Sequence, residues 1–122
     1  MIVVDASVLI AFLDPSDIHH APAVEILGDV MPPLFVHPIT AAEVLVAPMR
    51  NGVADLVWND LVAIGVEIDR TPIDPFQLAR LRSSTGLKMP DCCVLTIAAA
   101  RNTTVATFDE RLQRHDTFRT EQ

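Results

Sequence analysis

The sequence predicts an α/β fold, a parallel β-sheet of four to five short strands flanked by helices on both faces. Three observations point there. Short apolar runs recur at Ile2-Val3-Val4, Leu34-Phe35-Val36, Val66-Glu67-Ile68-Asp69 and Thr104-Val105-Ala106-Thr107. They are too short for helices and suit strands buried in a sheet. The stretches between them have helical length, and strands alternating with helices imply parallel pairing. Half of the 122 residues are hydrophobic and 20% are charged, the balance of a chain that folds around a core. That length suits a single domain, 1–122.

The elements follow in order. Ser7 to Leu13 is apolar and predicts a helix leaving the first strand directly. Asp14-Pro15-Ser16-Asp17 reads as a turn. Ile18 to Val30 carries a helical stripe at Ile18, Ala21, Val24, Ile26 and Leu27. His19 and His20 stand at its start, as surface or capping residues; two adjacent histidines on a helix point apart and cannot share one metal. Pro32-Pro33 breaks the chain before the second strand. A helix is predicted from Ala41 to Met49, with Pro48 as its kink or stop. Val53 to Ile64 is amphipathic, with Val53, Leu56, Val57, Leu61 and Ile64 on one side and Trp58 close by, in packing or at a dimer surface. Gly65 should end it.

After the third strand, Asp74-Pro75 pairs an N-cap with a first-turn proline and opens a helix to about Ser83. Gly86 breaks it. Met89-Pro90-Asp91 leads into Cys92 to Ala100, whose apolar string marks a central, buried helix. The fourth strand is followed by Asp109 and a short helix to about Arg114. Thr117-Phe118-Arg119 is a candidate final edge strand.

Composition narrows the class. No apolar run is long enough to span a bilayer. Met1-Ile2-Val3-Val4-Asp5 lacks the basic start of a secretory signal, so a cytoplasmic location is expected. Cys92 and Cys93 are neighbours without other partners, which reads as two small buried hydrophobes rather than a disulfide. The net charge of −7 is unevenly spread: residues 1–69 hold ten acids and one base, and residues 70–122 hold six acids and eight bases. The arginines are thus concentrated in the second half. The acidic surplus suits either a basic protein partner or plain solubility.

Four acids draw attention: Asp5, Glu43, Asp91 and Asp109. Each has a bland role. Asp5 can cap the first helix. Thr40-Ala41-Ala42-Glu43 matches a capping box. Asp91 lies in a first helical turn, where negative charge suits the macrodipole. Asp109 can be an N-cap. Together they say more. Asp5 and Asp109 each follow a strand and should share one edge of the sheet, where open parallel sheets place ligands. Asp91 opens a buried helix, and Glu43 sits among apolar neighbours, poor places for idle charge. Carboxylates gathered in one pocket repel and raise one another's pKa unless a cation neutralises them. An oxygen-only ligand set favours Mg²⁺ or Mn²⁺ over zinc. A carboxylate-held Mg²⁺ commonly works on phosphate, which points to metal-assisted phosphodiester hydrolysis.

Over essentially its whole length the chain resembles a PIN-domain ribonuclease, specifically the toxin half of a VapB–VapC toxin–antitoxin pair. The likeness rests on the first strand closed by Asp5-Ala6-Ser7 and on Thr40-Ala41-Ala42-Glu43-Val44-Leu45. It continues through Met89-Pro90-Asp91-Cys92-Cys93-Val94-Leu95-Thr96-Ile97-Ala98 and Val105-Ala106-Thr107-Phe108-Asp109-Glu110-Arg111-Leu112. The resemblance implies that Asp5 and Asp91 are the principal Mg²⁺ ligands and that Glu43 completes or tunes the site. Asp109 would hold the attacking water or a second ion, and Ser7 and Thr107 would orient the pocket. It implies endonucleolytic cleavage of RNA, homodimers, and a cognate VapB-type antitoxin that silences the site. Arg80, Arg82, Lys88, Arg111 and Arg114 are candidate RNA contacts, with a solvated face as their bland reading.

Other classes fit less well. A phosphoacceptor receiver domain needs an acidic pair after the first strand and a late Lys. Here Ala6-Ser7 follows Asp5, and no Lys lies in the last thirty residues. A haloacid-dehalogenase-type phosphatase needs Asp where Ser7 stands. The remaining alternatives keep the fold: a catalytically idle module that binds protein or RNA, or an RNA-processing nuclease that is no toxin.

Overall fold

A computed structural model of the chain describes residues 1–116. Four strands, β1 (Ile2–Val4), β2 (Leu34–Val36), β3 (Val66–Ile68) and β4 (Val105–Ala106), form one sheet in the order β3-β2-β1-β4. Every pairing is parallel. The crossovers are α1 (Ala6–Leu13), α2 (His20–Asp29), α3 (Pro38–Arg50) and α4 (Ala54–Ala63), then α5 (Pro75–Thr85) and α6 (Met89–Ala100). A short α7 (Glu110–Arg114) follows β4. The expected edge strand Thr117-Phe118-Arg119 lies outside the described residues.

Strand side chains alternate between the two faces, and the core divides accordingly. Ile2, Val4, Leu34, Val36, Val66 and Ala106 join the cluster built with α1–α4. Val3, Phe35 and Val105 join the cluster built with α6 and Leu112 of α7, with Leu78 and Leu81 of α5 packed against it. In α6, Cys92 through Ala98 are all buried, so this helix is central, as its apolar string predicts. Each large apolar side chain withdrawn from water there contributes about 1.5–3 kcal/mol. Both cysteines are free and buried, and burial pushes their thiols up.

Helix α3 begins at Pro38, three residues before the expected Ala41. Its N-cap is His37, whose Nδ1 accepts the Ile39 amide proton at 3.0 Å. The Thr40–Glu43 capping box therefore does not form, because Thr40 is already inside the helix. The helix also runs through Pro48 to Arg50. Proline in a last turn removes a single intrahelical bond. Helix α6 likewise starts early, at Met89, which places Asp91 within its first turn. In α4 only Leu61 is fully buried, and Leu56 is 65% exposed, outside the stripe expected for it. Trp58 packs partly against the core. Gly65 follows the end of α4 at φ +103°, where an added Cβ would stand 2.6 Å from Pro32 Cβ. Only glycine suits both the angle and the space.

The order of the sheet fixes where a ligand can enter. The chain leaves β1 towards β2 on one side and returns to β4 on the other. The crevice of such a sheet opens beyond the carboxyl ends of the strands at this reversal. Asp5 directly follows β1, and Thr107 through Asp109 follow β4.

Candidate active site

Asp5 occupies the N-cap position of α1 but makes no side-chain cap. Its Oδ2 instead accepts the Thr107 hydroxyl at 2.8 Å and the Ser7 hydroxyl at 3.0 Å. Among the described residues no donor reaches Oδ1. The two hydroxyls are 3.4 Å apart, and each is further engaged. Ser7 Oγ accepts the Phe108 amide at 3.1 Å, and Thr107 Oγ1 accepts the Asp109 amide at 3.0 Å. These bonds lace the turn after β4 to the turn after β1, and they orient Asp5 through one neighbour, Ser7, and one partner 102 residues away in sequence, Thr107.

Asp109 plays the bland role assigned to it, and one oxygen suffices. Its Oδ1 takes the Arg111 amide at 2.8 Å and the Leu112 amide at 3.3 Å, capping α7. Asp91 and Glu43 make neither a side-chain cap nor an ion pair among the described residues. Asp91 is half-buried, whereas Glu43 is largely exposed rather than enclosed by apolar neighbours.

The electrostatics couple all four. Burial pushes the Asp91 carboxyl above its ordinary value, and the charges of Asp5 and Asp109 push it the same way. Partial burial, then Asp5 and Asp91, raise Glu43. Lys88 opposes both shifts, and Arg111 opposes that of Asp91. The acids are thus within one another's field without being neutralised by contact. They do not form a closed cage: no three His, Cys, Asp or Glu side chains of the described residues are grouped as ready metal ligands. Mg²⁺ does not need such a cage, because it binds through one or two carboxylates and keeps several waters. The donor set, oxygen only and excess negative charge, fits a divalent ion in kind.

The basic candidates disperse. Lys88 and Arg111 lie within the field of the acids. Arg82 donates to the Gly86 and Leu87 carbonyls and fastens the turn between α5 and α6. Arg80 lines a groove with Phe76, Leu95 and His115 that touches none of the four acids. Arg114 is exposed at the end of α7. Three features went unread in the sequence. One is a half-buried pair: Arg101 Nε donates to the buried Asp69 Oδ2, with the guanidinium 3.4 Å above the Phe35 ring. Another is Asp116, which accepts from the Thr104 hydroxyl and, at 2.9 Å, the Val105 amide. The third is the stacking of His19 on Phe108. Residues 32 apart carry no local signal of pairing; Phe108, beside Thr107, did have a position that marked it.

The repulsion has a measurable consequence. A carboxyl raised on folding weakens the fold as pH climbs from its unfolded pKa, about 4, through its raised value. Without divalent ions, the melting temperature should therefore fall through that window. Millimolar Mg²⁺ should restore several degrees at neutral pH and almost none near pH 4. A calorimetric scan showing no Mg²⁺ effect at neutral pH would remove the cation from the site.

A family model for the PIN domain matches residues 2–117. No curated protein matches the chain. Solved structures share its fold. A chain of a toxin–antitoxin complex from Klebsiella pneumoniae superposes with a TM-score of 0.82 at 19% identity, covering 97% of this chain and 94% of that one. VapC20 of Mycobacterium tuberculosis, a toxin that cleaves the sarcin–ricin loop, gives 0.73 at 13% identity, covering 93% and 94%. PAE2754 from Pyrobaculum aerophilum gives 0.66 at 17%, covering 94% and 84%. At these identities the likeness is one of fold.

Proposed function

We propose that this chain, which belongs to the PIN-domain family, is a divalent-metal-dependent endoribonuclease and the toxin of a VapB–VapC-type pair. The observation that carries the reading is that Asp5, held by the Ser7 and Thr107 hydroxyls directly after β1, shares the strand-end edge with Asp109 and bears electrostatically on Glu43 and Asp91. Asp91 and Glu43, raised by burial and neighbouring charge and without an ion-pair partner among the described residues, would be relieved by a cation. Asp5 and Asp91 would hold Mg²⁺, or Mn²⁺ in its place, with Glu43 supporting. When bound, the ion lowers the pKa of a coordinated water and offsets charge on the phosphate under attack.

The chain's own groups do the rest. Ser7 and Thr107 hold Asp5 by Oδ2, which would leave its other oxygen free to take a ligand. Asp109, with one oxygen tied to α7, would position the attacking water with the second. Lys88 and Arg111 would receive the RNA backbone, so binding should weaken with salt. In-line attack by water leaves a 5′-phosphate and a 3′-hydroxyl. A groove beside the site, lined by Ile10, Leu13, Val44, Val53 and Val57 with Glu43 at its rim, suits an apolar segment of an antitoxin. The expected homodimer is kept in the proposal. Among the described residues no helix is long and apolar enough to cross a membrane, and a cytoplasmic site of action is proposed.

The test is cleavage of total RNA and of tRNA by the purified chain with and without Mg²⁺, with end-mapping of the products. RNA left intact in Mg²⁺ would overturn the reading. Glu43→Gln refines it. Since Glu43 caps nothing, this variant should melt within about a degree of wild type yet cleave roughly tenfold to a hundredfold more slowly. Unchanged cleavage would take Glu43 out of the site.

A further inference from the structure

We propose that the stacked pair His19 and Phe108 is a platform on which an unpaired base of the substrate RNA stacks, next to the phosphate to be cut. The inference rests on the ribonuclease reading above and adds a specificity element to it. The two rings lie nearly parallel, 18° between planes and 4.6 Å between centroids. Phe108 stands between Thr107 and Asp109, and its amide is bonded to Ser7 Oγ, so its backbone is tied into the turn that carries Thr107 and Asp109, while its ring packs partly against the core.

His19 is held for the purpose. Its amide donates to Asp17 Oδ1 at 2.8 Å, and its Nδ1 lies 3.8 Å from the same oxygen. The next residue, His20, anchors the segment through Nδ1 to the Ala11 carbonyl, 2.8 Å away. With one ring face on Phe108, the His19 side chain remains 49% exposed. An ordered aromatic face open to water matches how unpaired RNA bases are gripped, by stacking on aromatic rings. Charge selects the part of the RNA that lands there. Asp17, against His19, would repel phosphate, while Lys88 and Arg111 act on Asp91. The backbone would run towards those bases and leave a neutral base over the ring.

The test uses the full chain and RNA hairpins with a randomised loop carrying 2-aminopurine, bound in Ca²⁺ and cleaved in Mg²⁺. Wild type should quench the fluorophore. His19→Ala should abolish quenching and raise both Kd and KM roughly tenfold, leaving kcat within about twofold. His19→Phe should restore quenching. If His19→Ala fails to fold, Phe108→Leu should show the same loss. Unchanged quenching in the Ala variant, with RNA still cut, would overturn the platform and leave the nuclease reading standing. Weaker capture of a co-purified protein with unchanged RNA parameters would assign the face to a protein partner and overturn the proposal. No RNA binding or cleavage by wild type would sink both.

Discussion

Asp91→Asn should reduce RNA cleavage at least about a thousandfold while making the metal-free protein more stable. The two effects come from one charge. Asn keeps the volume and the place in the first turn of α6, and no hydrogen bond is lost, since Asp91 makes none among the described residues. What disappears is a carboxylate raised by burial and by the charges of Asp5 and Asp109. If that charge helps to hold the ion, activity falls by the size of a lost ligand contribution in a metal-assisted step, several kcal/mol. In the absence of divalent ions, the repulsion it caused is gone, and the melting temperature at neutral pH rises by a few degrees. The pH dependence sharpens the expectation. The gain should be largest above the raised pKa and vanish below about pH 4, where the wild-type carboxyl is protonated. A structural Asp91 would give the opposite pattern, with lower stability at all pH values and activity lost in proportion. Differential scanning calorimetry beside a cleavage assay separates the two.

The fold was legible where one principle acted alone. The strands Ile2-Val3-Val4 and Leu34-Phe35-Val36 read correctly because short apolar runs between turn signals have few alternatives. Asp74-Pro75 and Gly86 marked the ends of α5 because N-cap, first-turn proline and left-handed glycine act within one turn. The start of α3 misled because two caps competed. Thr40 with Glu43 made the familiar pattern, while the working cap is a histidine ring, a choice decided by the burial of His37 at the end of β2. Leu56 failed for a related reason, since periodicity locates a stripe only to within the neighbouring residue on each side.

The sequence brought candidate side chains forward without showing how they would be arranged. Order and spacing brought four acids forward, and parallel-sheet topology put Asp5 and Asp109 on one edge. That Asp109 would cap α7 was legible from its place before a short helix, whereas that Glu43 would lie open to water depends on packing with no trace in the sequence. The stacking of His19 on Phe108 was missed because the two are 89 positions apart and His19 was weighed as a surface residue, a cap or a ligand.

Arg101→Ala should be the most destabilising single substitution of a charged residue in the protein, at about 3–5 kcal/mol. Asp69 is 2% exposed, directly after β3, and its amide donates to the Val36 carbonyl at 2.8 Å, which ties the turn after β3 to β2. Burial pushes its carboxyl up, and the Arg101 guanidinium with the Thr71 amide outweighs burial and holds it below the ordinary range. Removing the guanidinium leaves a buried charge with the Thr71 amide, 2.8 Å away, as its remaining strong donor, and strips the cation from the Phe35 ring. Against a total stability of about 5–15 kcal/mol, that loss should lower the melting temperature by on the order of 10 °C or more. The converse change, Asp69→Ala, should cost less, because the Arg101 side chain is 28% exposed and can turn to water.

The pH dependence of this pair has the reverse sign to that of Asp91. A depressed carboxyl stabilises the fold above its unfolded pKa, and that contribution is lost as pH falls through the depressed value. In Arg101→Ala the cation that depresses the carboxyl is gone, so protonation relieves the buried charge sooner and the variant loses less stability in acid. The stability gap between wild type and variant should be widest at neutral pH and close progressively below about pH 4. Urea titrations at several pH values measure the gap. A constant gap would mean that Arg101 acts through packing on Phe35 rather than through the charge of Asp69.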